Sequence, residues 1–312
     1  MTGTRALMPA VAAAAVAALL FMTVGIRGGL AFALHLRAEQ LAALVTVGVA
    51  TAVATVVFQT VTANRILTPS LIGLDALYVL VQTVLVFALG GAGVAGLPAT
   101  MKFAVDAGVL TALAVALFLP LMRARTDLTL LLLAGVVLGV LFRSLSALLA
   151  RLIDPNSFAV VQSLTFADFN TVNAALVGPC AGLTAVCAVF VWRWRDVLDI
   201  VALGPESATA LGVDWRRWAT GLLALVGLMT AASTALVGPV VFLGLLATAL
   251  AGAAGAERHA VRLPLTVALS VLMLVTGQTV LSRILGNAVP LGVVIELAGG
   301  IVFILVVVRR AR

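Results

Sequence analysis

The amino-acid sequence predicts an all-α, polytopic membrane protein with about ten transmembrane helices. Of its 312 residues, 63% are hydrophobic and only 10% are charged, and the mean hydropathy is +1.24. A soluble domain of this length would need far more charge on its surface. Apolar runs of about 20 residues recur along the chain and can cross a bilayer as helices, because a helix satisfies its backbone groups internally. The alternating pattern of a membrane barrel is missing.

Ten apolar windows lie between charged residues and Gly or Pro breaks, and we interpret residues 1–312 as one transmembrane domain. The windows cover 7–26, 40–61, 71–90, 102–122, 128–150, 171–192, 217–236, 239–254, 264–282 and 291–308. The first resembles a signal peptide, but its apolar run is too long and further spans follow, which favours a membrane helix. The eighth opens with Gly238 and Pro239 and is short enough to be a half-helix or a re-entrant segment.

The basic residues give the orientation of these ten spans. One side carries thirteen: Arg5, Arg65, Arg123, Arg125, Arg193, Arg195, Arg216, Arg217, Arg258, Arg262, Arg309, Arg310 and Arg312. The other side carries six: Arg27, Arg37, Lys102, Arg143, Arg151 and Arg283. Because cytoplasmic loops carry the excess of Lys and Arg, both termini are predicted to be cytoplasmic.

A short polar-flanked helix is predicted at residues 203–212, between the sixth and seventh windows. Pro205 suits a first helical position, Glu206 complements the positive helix start, and Gly212 suits a left-handed stop. Ala208 and Leu211, three positions apart, are expected to share one face. We interpret the segment as a docking point for a soluble partner on the cytoplasmic side. An ordinary connecting loop with incidental helical turns is the alternative.

Several classes of function are excluded by what the sequence lacks. It has no phosphate-binding loop of the G-x-x-x-x-G-K-[ST] kind and no zinc motif, so ATP-driven work must come from a partner. The net charge of +7 comes from scattered residues rather than a basic stripe, which argues against nucleic acid. Cys180 and Cys187 are interpreted as buried small hydrophobic residues. His35 and His259 are placed in loops without paired ligands, so we expect no metal site, cofactor or catalytic residue.

The connection after the second window carries a recognisable spacing. Gln59 is followed by Asn64, Pro69 and Gly73. This spacing resembles the signature of FecCD-type permeases, the membrane subunits of ABC importers for iron-siderophores, haem and cobalamin. Most members have Pro after the Asn, where this chain has Arg65. The amino-acid sequence from Asn64 to Ser70 and the Gly-Leu-Asp-Ala-Leu-Tyr that begins at Gly73 resemble the same segments in the catecholate and petrobactin branch of the family.

Three later segments agree with the same family in order and spacing, so the resemblance covers about Leu36 to Arg309. Leu203 to Gly212 resembles the coupling helix, Gly238 to Leu245 the Gly-Pro-Ile-x-Phe-x-Gly-Leu segment, and Pro290 to Gly300 the last span. The chain departs from the family after Leu245, where it has Leu-Ala-Thr instead of Val-Pro-His or Val-Ala-Asn. The loop before Pro290 is also shorter than in the cobalamin branch.

The resemblance implies a permease with the fold of the cobalamin importer, in a bacterial cytoplasmic membrane. Two ten-helix subunits, identical or different, would enclose a pathway for a ferric siderophore. Two ABC ATPase subunits and an extracellular substrate-binding lipoprotein would complete the importer, and lipids would surround it. The residues expected to couple to the ATPase are Leu203, Gly204, Glu206, Ala208, Leu211 and Gly212.

Polar residues in or near the spans are candidates for the pathway wall, because a carboxylate at the bilayer centre is costly unless it faces protein or water. They include Asp75, Asp106, Gln82, Asn173, Gln278 and Glu296. Hydrogen bonding between helices is the alternative for each. The pathway candidates that also match the family pattern are Gln59, Asn64, Pro69, Asp75 and Glu296. Arg37 and Arg283, near external loops, are expected either to dock the binding protein or to anchor lipid headgroups.

Two other classes of function stay open at the level of sequence. A carrier driven by an ion gradient would more often show a relay of ionisable residues within the membrane, whereas the carboxylates here are few and dispersed. A membrane-embedded enzyme would need paired carboxylates or His ligands at useful spacing, and none is visible. The segment at 203–212 favours the ABC permease.

Overall fold

A computed structural model describes residues 2–25, 29–70, 73–123, 128–284, 286 and 289–310. The described residues form thirteen helices. They are α1 (Thr2–Thr23), α2 (Leu30–Val61), α3 (Leu74–Ala95), α4 (Ala99–Arg123), α5 (Leu128–Ala150), α6 (Pro155–Leu164), α7 (Ala174–Arg193), α8 (Arg195–Val201), α9 (Pro205–Ala210), α10 (Trp215–Val237), α11 (Leu243–Ala253), α12 (His259–Arg283) and α13 (Leu291–Arg310).

Each of the ten predicted windows falls on one of these helices, and the all-α membrane fold is confirmed. Within the described residues, eight helices are long and apolar enough to cross a membrane: α1, α2, α3, α4, α5, α7, α10 and α12. Two further apolar helices are shorter over their described parts, Leu243–Ala253 and Leu291–Ile301. The helices α6 and α8 have no counterpart among the predicted windows.

α6 begins at a cap that lies in the polar connection after α5. The Asp154 carboxylate accepts hydrogen bonds from the backbone N–H groups of Asn156 and Ser157, both at 3.0 Å, and Pro155 occupies the first turn. This is the arrangement that starts a helix at low cost. The Ser157 hydroxyl in turn accepts from the backbone N–H of Gly91 at 2.9 Å, so α6 packs against the end of α3.

The placement of both histidines in loops was wrong. α2 begins at Leu30, ten residues before the predicted window, so His35 lies on a helix and pairs with Glu39 one turn later at 3.3 Å. His259 is the first residue of α12 and is buried. α2 extends further toward the N-terminus than the predicted window, because the residues from Leu30 to Gln40 contain neither Gly nor Pro and can continue the helix.

α11 is as short as a half-helix or a re-entrant segment would be. Gly238 has φ +98°, and the chain stays non-helical until Phe242. The eleven residues of α11 span only about 16 Å, roughly half of the hydrocarbon thickness. Phe242 lies directly against Gly299 of α13, where any added Cβ would clash with its side chain.

The centre of the bundle is α2. From Ala43 to Val61 it is buried almost continuously, and it packs against α7, α10, α11 and α12. Its Gly48 allows close approach to Val271 of α12, since a Cβ there would lie 2.9 Å from the valine side chain. Two large apolar clusters of the core, one around Phe58 and one around Leu44, both draw on α2.

After α2 the chain turns back into the bundle before α3 begins. Thr68 and Pro69 are buried, and with Thr55 and Thr234 they line a small polar cavity of about 10 Å³. Gly73 then starts α3 against the middle of α5, with φ +97°. The connection predicted to lie in the cytoplasm is therefore partly re-entrant.

One end of the bundle carries α8 and α9, and we call it the α9 end. The end of α2 and the beginnings of α10 and α12 also lie there, because side chains of these segments bond to α8 or to one another. The other end carries the C-terminal end of α1 and the last residue of α12, which meet where Arg283 donates to the carbonyl of Gly25.

Candidate coupling site and pathway residues

The short helix α9 has the start and stop that the sequence predicts. Gly204 precedes it with φ +91°, Pro205 stands in the first turn, and Glu206 is the acidic residue of that turn. At the other end the N–H of Gly212, with φ +82°, bonds to the carbonyl of Thr209 at 3.0 Å, and the next N–H bonds to Ala208 at 2.9 Å. These two bonds form a Schellman stop, which favours glycine.

The expected shared face of Ala208 and Leu211 is not present. Ala208 is fully buried, whereas Leu211 is 60% exposed. α9 ends at Ala210, so Leu211 is its cap residue rather than part of the helix. Leu203, just before α9, is 59% exposed. The helix therefore sits on the protein through Ala208 and presents one exposed leucine on either side.

Asp199 of α8 connects this region to the beginning of α12. Its Oδ1 accepts from the backbone N–H of His259 at 3.0 Å and from the His259 ring Nδ1 at 2.5 Å. The other ring nitrogen lies 2.7 Å from the Thr60 hydroxyl near the end of α2. A carboxylate at a helix start is also stabilised by the helix dipole. These bonds hold α8, α12 and α2 together. Asp199 lies two residues before the end of α8, and the chain then leads into α9.

Gln59 is a second junction at the α9 end. Its amide nitrogen donates to the carbonyl of Arg65 at 2.8 Å and to the Thr248 hydroxyl of α11 at 3.1 Å. Its amide oxygen accepts from the Arg262 guanidinium of α12 at 2.6 Å. Gln59 is 2% exposed and joins α2 to α11 and α12. Its predicted pathway role is not tested by this arrangement.

A cavity of about 510 Å³ lies between these two junctions. Its lining residues are Gln59, Thr60, Ala63, Arg65, Asp199, Ala202, Glu257, Arg258, His259 and Arg262. Three are arginines and two are carboxylates, so the wall is predominantly basic. We call it the arginine cavity.

Asp75 and Glu296 lie within electrostatic range of one another, with Asp75 buried and Glu296 half-buried. Asp75 stands in the first turn of α3 and is buried, with Glu296 of α13 and Arg143 of α5 close enough to act on its charge. The two carboxylates come from helices more than 200 residues apart, which is the kind of convergence expected of a polar pathway wall. Of the other candidates, Asn64 accepts from the backbone N–H of Ile66 at 3.0 Å in a local turn.

The two arginines expected to dock a binding protein differ in their surroundings. Arg37 is 8% exposed, and its guanidinium donates to the carbonyls of Phe21, Met22, Val24 and Gly25. It therefore stabilises the C-terminal end of α1, where carbonyl groups lack helical partners. Arg283 is exposed and, among the residues that the structure describes, donates once, to Gly25 at 3.2 Å. Arg283 thus keeps donor groups available to a partner, whereas those of Arg37 are largely used.

The Asp199–His259 and Gln59–Arg262 contacts were missed by sequence reasoning. Arg262 was interpreted only as a topology signal, and the sequence alone does not single out Asp199. The partners are separated by 60 and 203 positions, and no local spacing relates them. The polar identity of Gln59 at the end of an apolar window was the one usable signal.

Comparisons with known proteins agree with this architecture. The FecCD transport family matches residues 11–309. The Petrobactin import system permease protein YclO of Bacillus subtilis is 37% identical over 283 residues, which cover 90% of each chain. The Vitamin B12 import system permease protein BtuC of Vibrio cholerae is 30% identical over 300 residues, which cover 88% of this chain and 82% of BtuC.

The fold also matches a solved structure. A metal-chelate type ABC transporter in an inward-facing conformation superimposes with a TM-score of 0.85 at 20% sequence identity, covering 98% of this chain and 99% of the other. The resemblance noted from Gln59, Asn64, Pro69 and Gly73 is thereby confirmed. The chain belongs to the FecCD transport family and is a permease subunit of an ABC importer, a transport component rather than an enzyme.

Proposed function

We propose that this permease imports a ferric siderophore, driven by a separate ATPase that docks on α9. Membership of an ABC import system implies an ATPase and a binding protein as partners. The observation that carries the docking site is the geometry of α9: a buried Ala208, a Schellman stop at Gly212, and exposed Leu203 and Leu211. Exposed apolar side chains on a short rigid helix suit insertion into a groove of a partner.

The α9 end faces the cytoplasm in this proposal. The excess of thirteen basic residues over six on the side of α9 supports that orientation, and ATP is available only there. Both termini are then cytoplasmic. On ATP binding, closure of the ATPase pair would displace α9, and the helices joined to it through Asp199 would change the open side of the pathway.

The cargo is inferred from relatives. The Bacillus subtilis relative and the Petrobactin import system permease protein FatC of Bacillus anthracis, which is 29% identical over 276 residues, both carry petrobactin import in their names. A chelated metal needs no metal ligand from the permease, since the chelator fills its coordination sphere. Asp75 and Glu296 would contribute to the polar pathway wall, and Arg283 would contact the binding protein. A second permease subunit, identical or related, would close the pathway.

The proposed docking is tested by a substitution on α9 with a matched control at the other end. Leu211→Arg places a charge on the docking surface, and Leu152→Arg does the same at a residue that is 65% exposed in the connection after α5. We expect Leu211→Arg to abolish co-purification of the ATPase and uptake of ferric petrobactin, and Leu152→Arg to leave ATPase co-purification intact. Retained ATPase binding and uptake in Leu211→Arg would refute the proposed site.

A panel of competing cargoes tests the substrate. Unlabelled ferric petrobactin should compete with its labelled form, and cobalamin and haem should not. Equal competition by cobalamin would move the assignment to the vitamin B12 branch. Uptake that proceeds without any ATPase would favour an ion-gradient carrier instead.

A further inference from the structure

The arginine cavity contains a buried positive charge without a carboxylate partner. Arg262 is only 9% exposed, and its one hydrogen bond within the described residues goes to the neutral amide oxygen of Gln59. No carboxylate oxygen of the described residues lies within 4.0 Å of its guanidinium nitrogens. Arginine is seldom buried unless it is paired, because desolvating a charge is costly.

Two further arginines add to this charge. Arg65 and Arg258 also line the cavity, and neither forms a salt bridge among the described residues. Arg65 is near enough to Arg262 to repel it. The start of the 25-residue helix α12 lies at the same wall and contributes the positive end of its dipole.

The two acidic residues of the wall do not neutralise these arginines. Asp199 is already bonded twice to His259, through the ring and the backbone N–H. Glu257 is exposed and is not within salt-bridge distance of any described cation. The cavity is therefore complementary to an anion that the described part of the chain does not provide.

We propose that the arginine cavity receives an acidic segment of the ATPase, as a second contact beside α9. The inference rests on the proposed docking of the ATPase at the α9 end. The cavity adjoins that surface, since Asp199 and Ala202 belong to α8 and its cap, two residues before Gly204. Its volume of about 510 Å³ holds several side chains, whereas a single inorganic phosphate would leave most of it empty.

Carboxylates fit the chemistry of the cavity. Guanidinium groups bind carboxylates through two parallel hydrogen bonds, and such pairs gain strength where water is excluded. An acidic segment would pair with the buried Arg262 and relieve its repulsion with Arg65. Charge complementarity of this kind also accelerates association and makes it sensitive to salt.

The test reverses the charge of the two exposed arginines, because Arg262 also holds Gln59. Arg65→Glu and Arg258→Glu are combined in one variant. Arg217→Glu is the control, since Arg217 lies at the same end, is exposed, and is absent from the cavity wall. The affinity for the ATPase that co-purifies with the wild-type permease is measured in nanodiscs of zwitterionic lipid at several salt concentrations.

We expect the double variant to bind the ATPase at least about tenfold more weakly at low salt, with a flatter dependence on salt. Arg217→Glu should stay within about threefold of wild type, as exposed charges contribute little. Replacing the responsible ATPase carboxylate with Arg should restore affinity to the double variant. Equal affinity and equal salt dependence for the double variant and Arg217→Glu would overturn the proposal.

Two other outcomes are distinguishable. If anionic lipid raises the thermal stability of wild type but not of the double variant, in the absence of ATPase, the cavity binds lipid headgroups and the proposal is wrong. If Leu211→Arg no longer binds the ATPase while the double variant binds it as tightly as wild type, the proposed acidic contact is refuted and the docking on α9 is supported. Absence of any ATPase with the wild-type chain would instead refute the proposed docking as a whole.

Discussion

The Oδ1 atom of Asp199 lies 2.5 Å from the ring Nδ1 of His259, although 60 positions separate them in the chain. The same oxygen accepts the backbone N–H of His259, so one carboxylate both orients the imidazole and caps α12. The second ring nitrogen reaches Thr60 of α2. A displacement of α8 would therefore act directly on α12 and, through His259, on α2, the most buried of the described spanning helices.

Asp199→Asn is expected to separate ATP hydrolysis from transport. The amide keeps the shape of the side chain but removes the negative charge that strengthens the hydrogen bond to the imidazole. With this bond weakened, α8 would still move with the ATPase, but α12 would no longer move with α8. We expect uptake to fall by about tenfold while the ATPase still binds and hydrolyses ATP, since charge-assisted hydrogen bonds contribute about 1.5–3 kcal/mol. Uptake and hydrolysis are measured on the same proteoliposomes.

The pair of the exposed His35 and the half-exposed Glu39 provides the control for that experiment. It also joins a histidine to a carboxylate, at 3.3 Å on α2. Glu39→Gln should leave the ratio of uptake to hydrolysis unchanged. If Asp199→Asn behaves in the same way, the contact does not transmit motion.

Gly212→Ala is expected to weaken the ATPase complex through the shape of α9. The residue has φ +82°, which costs an alanine about 1 kcal/mol or more. Gly212→Asn is the matched variant, because asparagine tolerates the left-handed conformation. We expect affinity for the ATPase to decrease in the order Gly, Asn, Ala. Equal affinities for the Asn and Ala variants would show that the Schellman stop does not matter.

Glu296→Cys reports whether the interior carboxylates line a water-filled pathway. The native cysteines, Cys180 and Cys187, are buried and give a low background. During ATP-driven cycling, a membrane-impermeant thiol reagent should label Glu296→Cys faster than wild type, and cargo should slow the labelling. Labelling no faster than that of wild type would place Glu296 in a helix-to-helix contact instead.

Gly299→Ala tests the close packing of α11 and α13. A Cβ at Gly299 would clash with the side chain of Phe242, whereas a Cβ at the neighbouring Gly300 meets no atom within 4 Å. We expect Gly299→Ala to destabilise the fold by about 1–3 kcal/mol and Gly300→Ala to be neutral or slightly stabilising. Thermal unfolding in detergent compares the two, and equal melting temperatures would contradict the packing.

The parts of the fold that follow local rules could be predicted from the sequence. Apolar length located the eight helices that can cross a membrane and the two shorter apolar helices, α11 and α13 over its described part. The break at Gly238 and Pro239 indicated that α11 is short, and Pro205 and Gly212 located the ends of α9. Ala208 and Leu211 were expected to share one face, whereas Ala208 is buried and Leu211, the cap residue after α9, is exposed.

The contacts that organise the α9 end could not be predicted. Bonds from Asp199 to His259 and from Gln59 to Arg262 join residues that only the packing of α2, α8 and α12 brings together. Arg37 shows the same limit, since its position near an external loop suggested a partner protein, whereas its donors serve the carbonyls of α1. Polar residues are easily recognised in an apolar sequence, but the residues that they contact depend on the tertiary structure.

The most direct test of the central claim is uptake of ferric petrobactin into proteoliposomes that contain the permease, its ATPase and its binding protein. With ATP on the side of α9 and no ion gradient, uptake should proceed against a concentration gradient and stop in Leu211→Arg. With a proton or sodium gradient and no ATP, there should be none. Uphill uptake driven by the gradient alone would contradict an ATPase-driven permease coupled through α9.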